Sequence, residues 1–502
     1  MTTVTLHELY VVLLGAGLVV VASIAAARLV SRVGLPVLLA YLAIGVVMGE
    51  DVLGLQFSDE RVAQGLGTAA LAVILIDGGL STEWRLIRPV FGAAATLASV
   101  GVLVSVLVTA AGAWLLLGVP LQFALLLGAV VASTDAAAVF SVLRMLPLPR
   151  RLAGLLEAES GLNDAPAVIL VLAFSHPITS GTPLEVLAEL AYELGVGAAI
   201  GLAAGALGAL GLRRLSLPAS GLYPLATITV GLVAFSAAGV AGASGFLAAY
   251  LTAIVLGNAG LPHRRAVLSF AEGLGWIAQI GLFVMLGLLV TPTALPSAVV
   301  PALVIGLVLL VVSRPLSVLV SLLPFRIPLR QQTLLSWAGL RGAVPIVLAT
   351  FPVVAHVPGS GRLFNIVFVL VVVFTVVQAP TLPWLARRLR LVASDPTRDL
   401  QLESAPLDVL DADLIHVVVS PGSRLRNVAI WELRLPDPAV VTMVVRAGRA
   451  FVPTERTPIR AGDELLVMTT NRVRPQVERR LRAVGRAGRR AEWRTGERLD
   501  DL

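Results

Sequence analysis

Glu157-Ala158-Glu159-Ser160-Gly161-Leu162-Asn163-Asp164-Ala165-Pro166 lies inside an otherwise apolar run from 152 to 174. Three carboxylates, a hydroxyl and an amide within ten residues are out of place there. A charge at mid-bilayer costs at least about 2.5–3.5 kcal/mol on insertion scales. On a helix, residues three, four and seven apart share a face. Glu157, Ser160 and Asp164 therefore form one stripe, and Glu159 and Asn163 the stripe beside it. Such a face must look onto water or onto partners. The preceding apolar run, 121–144, carries Ala132-Ser133-Thr134-Asp135-Ala136 at its centre. A short loop, 145–151, makes the two runs antiparallel neighbours, so their polar centres meet at similar depth. Hard oxygen donors suit Na⁺ or K⁺, and a carboxylate can instead hold a proton. A group that binds either one, but not both, is the minimum chemistry of cation/proton exchange.

The rest of the chain agrees with a membrane setting. Of 502 residues, 57% are hydrophobic and only 14% charged, against about a quarter charged in a water-soluble domain. That excludes a soluble enzyme and a disordered chain. With no Cys, disulfides, thiolate metal sites and Cys nucleophiles are excluded as well. Five scattered His make a His-built metal site improbable. Charge is unevenly spread. Residues 1–390 hold 20 Arg against 15 acids, a net +5, and residues 391–502 hold 18 Arg against 16, a net +2. The basic balance is therefore spread between apolar segments and signals topology, with no nucleic-acid partner.

A membrane-spanning helix needs roughly 20 apolar residues, and thirteen stretches qualify: 8–28, 34–49, 62–80, 89–117, 121–144, 152–174, 186–211, 219–240, 244–258, 266–290, 294–322, 332–354 and 363–386. Arg pairs fall in alternate loops, at 28 and 32, 85 and 88, 150 and 151, 213 and 214, 264 and 265, and 326 and 330. The positive-inside rule then predicts an outer N-terminus and a cytoplasmic tail, in a prokaryotic inner membrane. Ala25-Ala26-Ala27 looks like a cleavage site, but no basic residue precedes the first span, so an uncleaved helix is expected.

Few ionisable residues fall inside the spans: Asp77, Asp135, Glu157, Glu159, Asp164, Glu272, Arg314 and Arg341. The twelfth span reads Trp337-Ala338-Gly339-Leu340-Arg341-Gly342-Ala343-Val344-Pro345. Two Gly, a Pro and a charge predict a broken helix, the usual construction of secondary-transporter sites in paired repeats. If six-helix repeats flank the seventh span, the fifth span is its counterpart. A buried Arg cannot deprotonate, so Arg341 is expected to pair with Glu159, and Arg314 to neutralise helix ends or a second carboxylate.

Thr134-Asp135, followed by Glu159-Ser160-x-x-Asn163-Asp164 and by Gly339-Leu340-Arg341-Gly342, resembles the NhaP branch of monovalent cation/proton antiporters over about 8–390. That resemblance implies an all-α membrane domain of thirteen helices, inverted repeats and a dimer, with the fifth and twelfth helices unwound and crossing near the ion. It implies that Asp164 carries cation and proton, that Asp135, Thr134 and Ser160 shape the site, and that Asn163 stabilises it. It pairs Glu159 with Arg341 and puts Asp77 on the ion pathway, with Glu157 and Arg314 as accessory residues. Asp135-Ala136 departs from the Asp-Pro of many relatives. Asn163 in place of a second Asp is similar to electroneutral members.

The outer-loop acids Glu50, Asp51, Asp59 and Glu60 read as a solvated loop more readily than as a cation-concentrating entrance. In the tail, a linker is expected over 391–411, a small α+β domain over 412–485 and a disordered Arg-rich end over 486–502. Strands are predicted at 415–419, 440–445, 450–453 and 464–468, a short helix within 424–435 and a terminal helix over 472–485. Gly422-Ser423-x-Leu425, Glu432-Leu433-Arg434-Leu435-Pro436, Val444-Val445-Arg446-x-Gly448, Pro453 and Gly462-Asp463-Glu464-Leu465-Leu466-Val467 resemble the TrkA-C (RCK-C) regulatory domain. That family dimerises and binds small ligands, in some members cyclic di-AMP; Arg446 and Arg449 could meet a phosphate there, but they read more readily as solvated surface. No GxGxxG follows a strand, so no nucleotide-binding Rossmann half is expected. By association the module tilts the cargo toward K⁺.

The alternatives are a cation channel and an intramembrane protease. Nothing resembles a TVGYG filter, and titratable carboxylates suit exchange better. Gly242-Ala243-Ser244-Gly245 resembles a rhomboid serine motif, but no His lies in any span to act as its base.

Overall fold

The computed structural model describes residues 6–33, 36–55, 59–134, 148–175, 183–215, 217–391, 400–407, 412–420, 422–470 and 472–488. They form two units, Met1–Ala393 and Ser394–Leu502.

The first unit is helical. Its elements are α1 (Leu6–Val33), α2 (Val37–Met48), α3 (Glu60–Ser81), α4 (Trp84–Leu117), α5 (Leu121–Ala132), α6 (Arg150–Ser175), α7 (Pro183–Arg214), α8 (Leu222–Val240), α9 (Gly245–Asn258), α10 (Arg264–Leu288), α11 (Pro296–Phe325), α12 (Leu329–Trp337), α13 (Ala343–Val354) and α14 (Ser360–Arg388). Every predicted stretch falls on one of these helices, except that the second half of the fifth lies outside the described residues. The fourth and eleventh predicted stretches are each one long helix with a π turn. The twelfth is the pair α12 and α13. Among the described residues eight helices are long and apolar enough to cross a membrane, and four apolar helices are shorter.

Helix α6 sits at the centre of what positions the site. It packs against α4, α5, α9 and α13, and from Leu152 to Val171 nearly all of its side chains are buried. Close approach is made with glycine where backbone meets backbone. A Cβ on Gly79 of α3 would lie 2.6 Å from Ala253 Cβ of α9, and one on Gly128 of α5 would lie 2.6 Å from Val106 O of α4. Pro166 removes one helical N–H in α6, which frees the carbonyl four residues earlier.

Helices α4 and α11 pack along each other and share an unusual feature. A π turn occupies Leu97–Gly101 in α4 and Leu309–Ser313 in α11. Both begin thirteen residues after the first residue of their helix, Trp84 and Pro296. The π turn of α11 is pinned to α4 by hydroxyls: Thr109 Oγ1 donates to Ser313 Oγ at 3.0 Å, and Ser105 and Ser313 share a contact of 3.1 Å. The matched positions support paired repeats that include these two helices.

Of the loop acids Glu50, Asp51, Asp59 and Glu60, two are structural. Asp59 caps α3 by accepting from the Arg61 and Val62 amides at 3.1 and 3.0 Å, as acidic N-caps do. Asp51 Oδ2 accepts from Thr293 N at 3.1 Å. Glu50 and Glu60 instead border a cavity of about 270 Å³ with Thr350 and Asn365. Ser244 is an N-cap, accepting from Leu247 N at 3.4 Å, which accounts for it without catalysis.

The second unit is a five-stranded antiparallel sheet in the order β1-β2-β5-β3-β4, with β1 Leu400–Leu407, β2 Ala412–Val419, β3 Val440–Arg446, β4 Arg449–Phe451 and β5 Glu464–Thr470. Helix α15 (Arg474–Ala487) covers it, with Val477, Leu481 and Val484 buried against Ile415, Val417, Leu465 and Val467. The segment expected as linker contributes β1, paired with β2 from Leu400 opposite Val419 to Leu407 opposite Ala412. Its polar, Pro-containing sequence hides an edge strand, the position where Pro is tolerated. The short helix expected within 424–435 is a single 3₁₀ turn, Ile430–Leu433. Most of 486–502 lies outside the described residues.

Candidate functional site

Helix α5 ends at Ala132, and Ser133 continues in an extended conformation. That turn of the backbone brings two hydroxyls against the polar face of α6. Ser133 Oγ donates to Asp164 Oδ1 at 2.6 Å. Asn163 Nδ2 donates to Thr134 Oγ1 at 2.5 Å, and Thr134 Oγ1 lies 3.1 Å from Ser160 Oγ. Thr134, Ser160, Asn163 and Asp164 are all at most 3% exposed. Oxygen donors and one carboxylate thus meet at a helix end, inside an apolar bundle. Asp135, the second carboxylate expected here, lies outside the described residues.

Ser133 is a site residue that the helical spacing does not reveal. Its signal was its place at the break, where a helix-ending backbone turns the side chain across to α6. Glu157 is one turn nearer the Arg150 end of α6 than Gly161, and it is partly exposed. Asp77 stands apart on α3 and faces α10, where a Cβ on Gly275 would lie 2.9 Å from Asp77 Oδ2.

The expected pairing of Glu159 with Arg341 is not the contact found. Arg314 Nη2 lies 2.6 Å from Glu159 Oε1, with both side chains at most 6% exposed. The approach is close enough for an ion pair but off-line for a hydrogen bond. Arg341 donates instead from Nε to Val131 O and from Nη1 to Gly339 O, both at 2.7 Å. The physical reason is the break in α5. Its last carbonyls lack helical partners, and the C-terminal end of a helix attracts cations. A guanidinium from the other broken helix supplies both needs and ties the two breaks together.

The break of the twelfth span falls between α12 and α13, at residues 338–342, as its glycines suggested. Gly339 separates the two guanidiniums: a Cβ there would lie 2.6 Å from Arg314 Nε and 3.0 Å from Arg341 Nη1. Helix α14 braces the break. Thr375 Oγ1 donates to Arg341 O at 2.6 Å, Gln378 Nε2 donates to Trp337 O at 3.1 Å, and Trp337 Nε1 donates to Thr381 Oγ1 at 2.9 Å. Sequence reasoning passed over these polar residues, although Gln378 was legible as a lone amide in an apolar span.

In the tail, Arg446 is committed. It forms a two-pronged pair with Asp463 at 2.8 and 2.7 Å, donates to Pro458 O at 2.9 Å and lies over the Phe451 ring. Burial alone would raise the Asp463 carboxyl, but the Arg446 hydrogen bond, the Arg460 amide and both guanidinium charges outweigh it and hold it below the usual range. Arg449 is exposed.

Comparison with known proteins agrees with this architecture. Residues 19–388 match the family described as sodium/hydrogen exchanger, transmembrane. The chain belongs to that family. Residues 414–482 match the TrkA-C domain. A K(+)/H(+) antiporter NhaP of Alkalimonas amylolytica is 38% identical over 90% of this chain and 80% of its own. A K(+)/H(+) antiporter NhaP2 of Shewanella baltica is 35% identical over 87% and 77%. A Na(+)/H(+) antiporter NhaS2 of Synechocystis is 28% identical over 65% and 62%. The structure of the sodium proton antiporter MjNhaP1 from Methanocaldococcus jannaschii superposes with a TM-score of 0.67, at 20% identity, over 77% of this chain and all of that one; it shares the fold. As a member of the exchanger family, this is a multi-pass membrane transporter.

Proposed function

We propose that this protein exchanges K⁺, or Na⁺, for H⁺ by alternating access, with Asp164 as the group for which cation and proton compete. The observation that carries this reading is the buried Asp164 carboxylate, held by Ser133 beside the Thr134, Ser160 and Asn163 cluster at the break of α5. Asp135 completes the carboxylate pair in this reading. Asp164 gives up its proton to receive a cation from one side. The bundle moves, the cation leaves, and a proton takes its place for the return. An empty charged site crosses rarely, because a bare charge at mid-membrane costs at least about 2.5–3.5 kcal/mol. One cation per proton makes the exchange electroneutral. Asp77 and Glu157 belong to the aqueous pathway.

The names of the NhaP relatives support K⁺ as the cargo, and the alternating Arg loops support an outer N-terminus, a cytoplasmic tail and an inner-membrane location. The protein works as a homodimer among membrane lipids. The tail tunes transport through a small ligand, a nucleotide such as cyclic di-AMP being the class the domain suggests, with exposed Arg449 available to it and Arg446 occupied. The test is cation-induced proton movement in everted vesicles with K⁺, Na⁺ and Li⁺ over pH 6–9, beside Asp164→Asn. Cation-dependent proton release that disappears in the variant supports exchange at Asp164. Equal behaviour of the two removes Asp164 from the mechanism and revives the channel.

A further inference from the structure

Tyr250 of α9 is 2% exposed, and its ring lies flat on Gly161 of α6. A Cβ added at Gly161 would collide with Cζ, the carbon that bears the hydroxyl, and would lie 2.6 Å from both Cε atoms. Gly161 is four residues from Glu157 and three from Asp164, so all three share one helical face. The hydroxyl end of the ring therefore stands between the two carboxylates, within electrostatic reach of both and beside the Thr82 hydroxyl. Exposure changes across it. Glu157 is partly exposed, whereas Asp164 is 3% exposed.

The hydroxyl itself is buried beside the Thr82 hydroxyl but makes no hydrogen bond of normal geometry among the described residues. Thr82 directs its own proton to Gly78 O at 2.8 Å. A side chain that only filled the gap between α3, α6 and α9 would do so better as Phe, because an unpaired buried hydroxyl is costly. A hydroxyl that gains water when the ring swings aside is a different matter. Its burial opposes this position of the ring and favours release.

We propose that Tyr250 is the plug of the ion path between Asp164 and the membrane face where α6 begins. The ring closes the passage in the conformation described, and its unpaired hydroxyl sets how readily the passage opens. This rests on the reading of Asp164 as the exchange site.

The chain has no cysteine, which gives a clean test in the full-length protein. Asp164→Cys is labelled in vesicles with a small cationic methanethiosulfonate applied to one membrane face at a time. Glu157→Cys, outside the plug, is the reference. With Tyr250 present, Asp164→Cys should react slowly from the α6 starting face while Glu157→Cys reacts fast. Y250A should raise the Asp164→Cys rate at least roughly tenfold from that face only, leaving Glu157→Cys unchanged. Y250F, which removes the unpaired hydroxyl, should lower it by a few-fold to roughly tenfold. Gly161→Ala, which displaces the ring, should act like Y250A and serves if Y250A does not fold. Labelling of Asp164→Cys that is indifferent to Y250F and to whichever of the two opening variants folds overturns the proposal, as does acceleration from both faces alike. Retention of exchange by Asp164→Asn would instead sink the site reading, while the labelling pattern stood.

Discussion

The charge count around Glu159 makes a prediction with an order as well as a size. Arg314 and Arg341 are 5% and 1% exposed, Glu159 is 2% exposed, and only Arg314 touches the carboxylate. The three groups carry a net +1. Glu159→Gln leaves two guanidiniums beside Gly339 with no carboxylate between them, a net +2. Arg314→Gln leaves Glu159 and Arg341 to balance each other at close range. Removing one partner of a buried pair costs about 3–5 kcal/mol. Glu159→Gln should reach that figure, while Arg314→Gln should cost roughly half of it because Arg341 remains nearby. The double variant E159Q/R314Q should be more stable than E159Q alone. Reversible SDS unfolding of the purified protein measures each, and a double-mutant cycle isolates the pair term. A coupling of about 1–3 kcal/mol is expected for Glu159 with Arg314, and a smaller one for Glu159 with Arg341. The reverse order would refute the assignment of the contact and return Arg341 to the role the sequence suggested.

Ser133→Ala removes the hydrogen bond to Asp164. The apparent KM for K⁺ in vesicle exchange should rise roughly tenfold, a loss of about 1.5 kcal/mol for a bond to a charged group; an unchanged KM would mean that Ser133 is incidental. Thr375→Val with Gln378→Leu should slow exchange and cost about 1–3 kcal/mol together, and full-rate exchange in a protein of normal stability would show that the brace on α12 and α13 is dispensable. In the tail, Asp463→Asn should expose the β3 and β5 amides to hydrogen exchange at neutral pH. The sign for the native pair follows from the depressed carboxyl: its contribution is present above the ordinary Asp value of about 3.9 and is lost as pH falls through the lower folded value. Protection of β3 and β5 in the native protein should therefore hold from neutral pH down to about 4, and early loss near pH 6 would contradict the pairing of Asp463 with Arg446.

What could be read from the sequence was set by local composition. Apolar runs gave the helices, and Gly339, Gly342 and Pro345 gave the break of the twelfth span. The α6 stripe gave Ser160, Asn163 and Asp164 their shared face. What could not be read depended on rotation about helix axes. Whether Arg314 or Arg341 reaches Glu159 is decided by the π turn just before Arg314, and a π turn has no composition of its own. Ser133 was hidden because the side chain that reaches Asp164 belongs to an ended helix, where the helical spacing rule no longer applies. The edge strand β1 was hidden because its pairing energy comes from β2, and its own sequence reads as polar linker.

The two π turns act as phase shifters. A π turn closes on one residue more than an α turn, so the side chains beyond it sit about 100° from where an unbroken α-helix of the same sequence would put them. Beyond Ser313 this brings Arg314 inward to Glu159 rather than toward the side of Val311 and Val312, which are 60% and 50% exposed. Forcing Leu309–Ser313 into a plain α turn at unchanged length would swing that guanidinium toward the periphery and strand the carboxylate. A one-residue deletion inside either turn can be taken up as a plain α turn, whereas one elsewhere in α4 or α11 shifts every side chain beyond it, so natural length variation in these two helices should concentrate at Leu97–Gly101 and Leu309–Ser313.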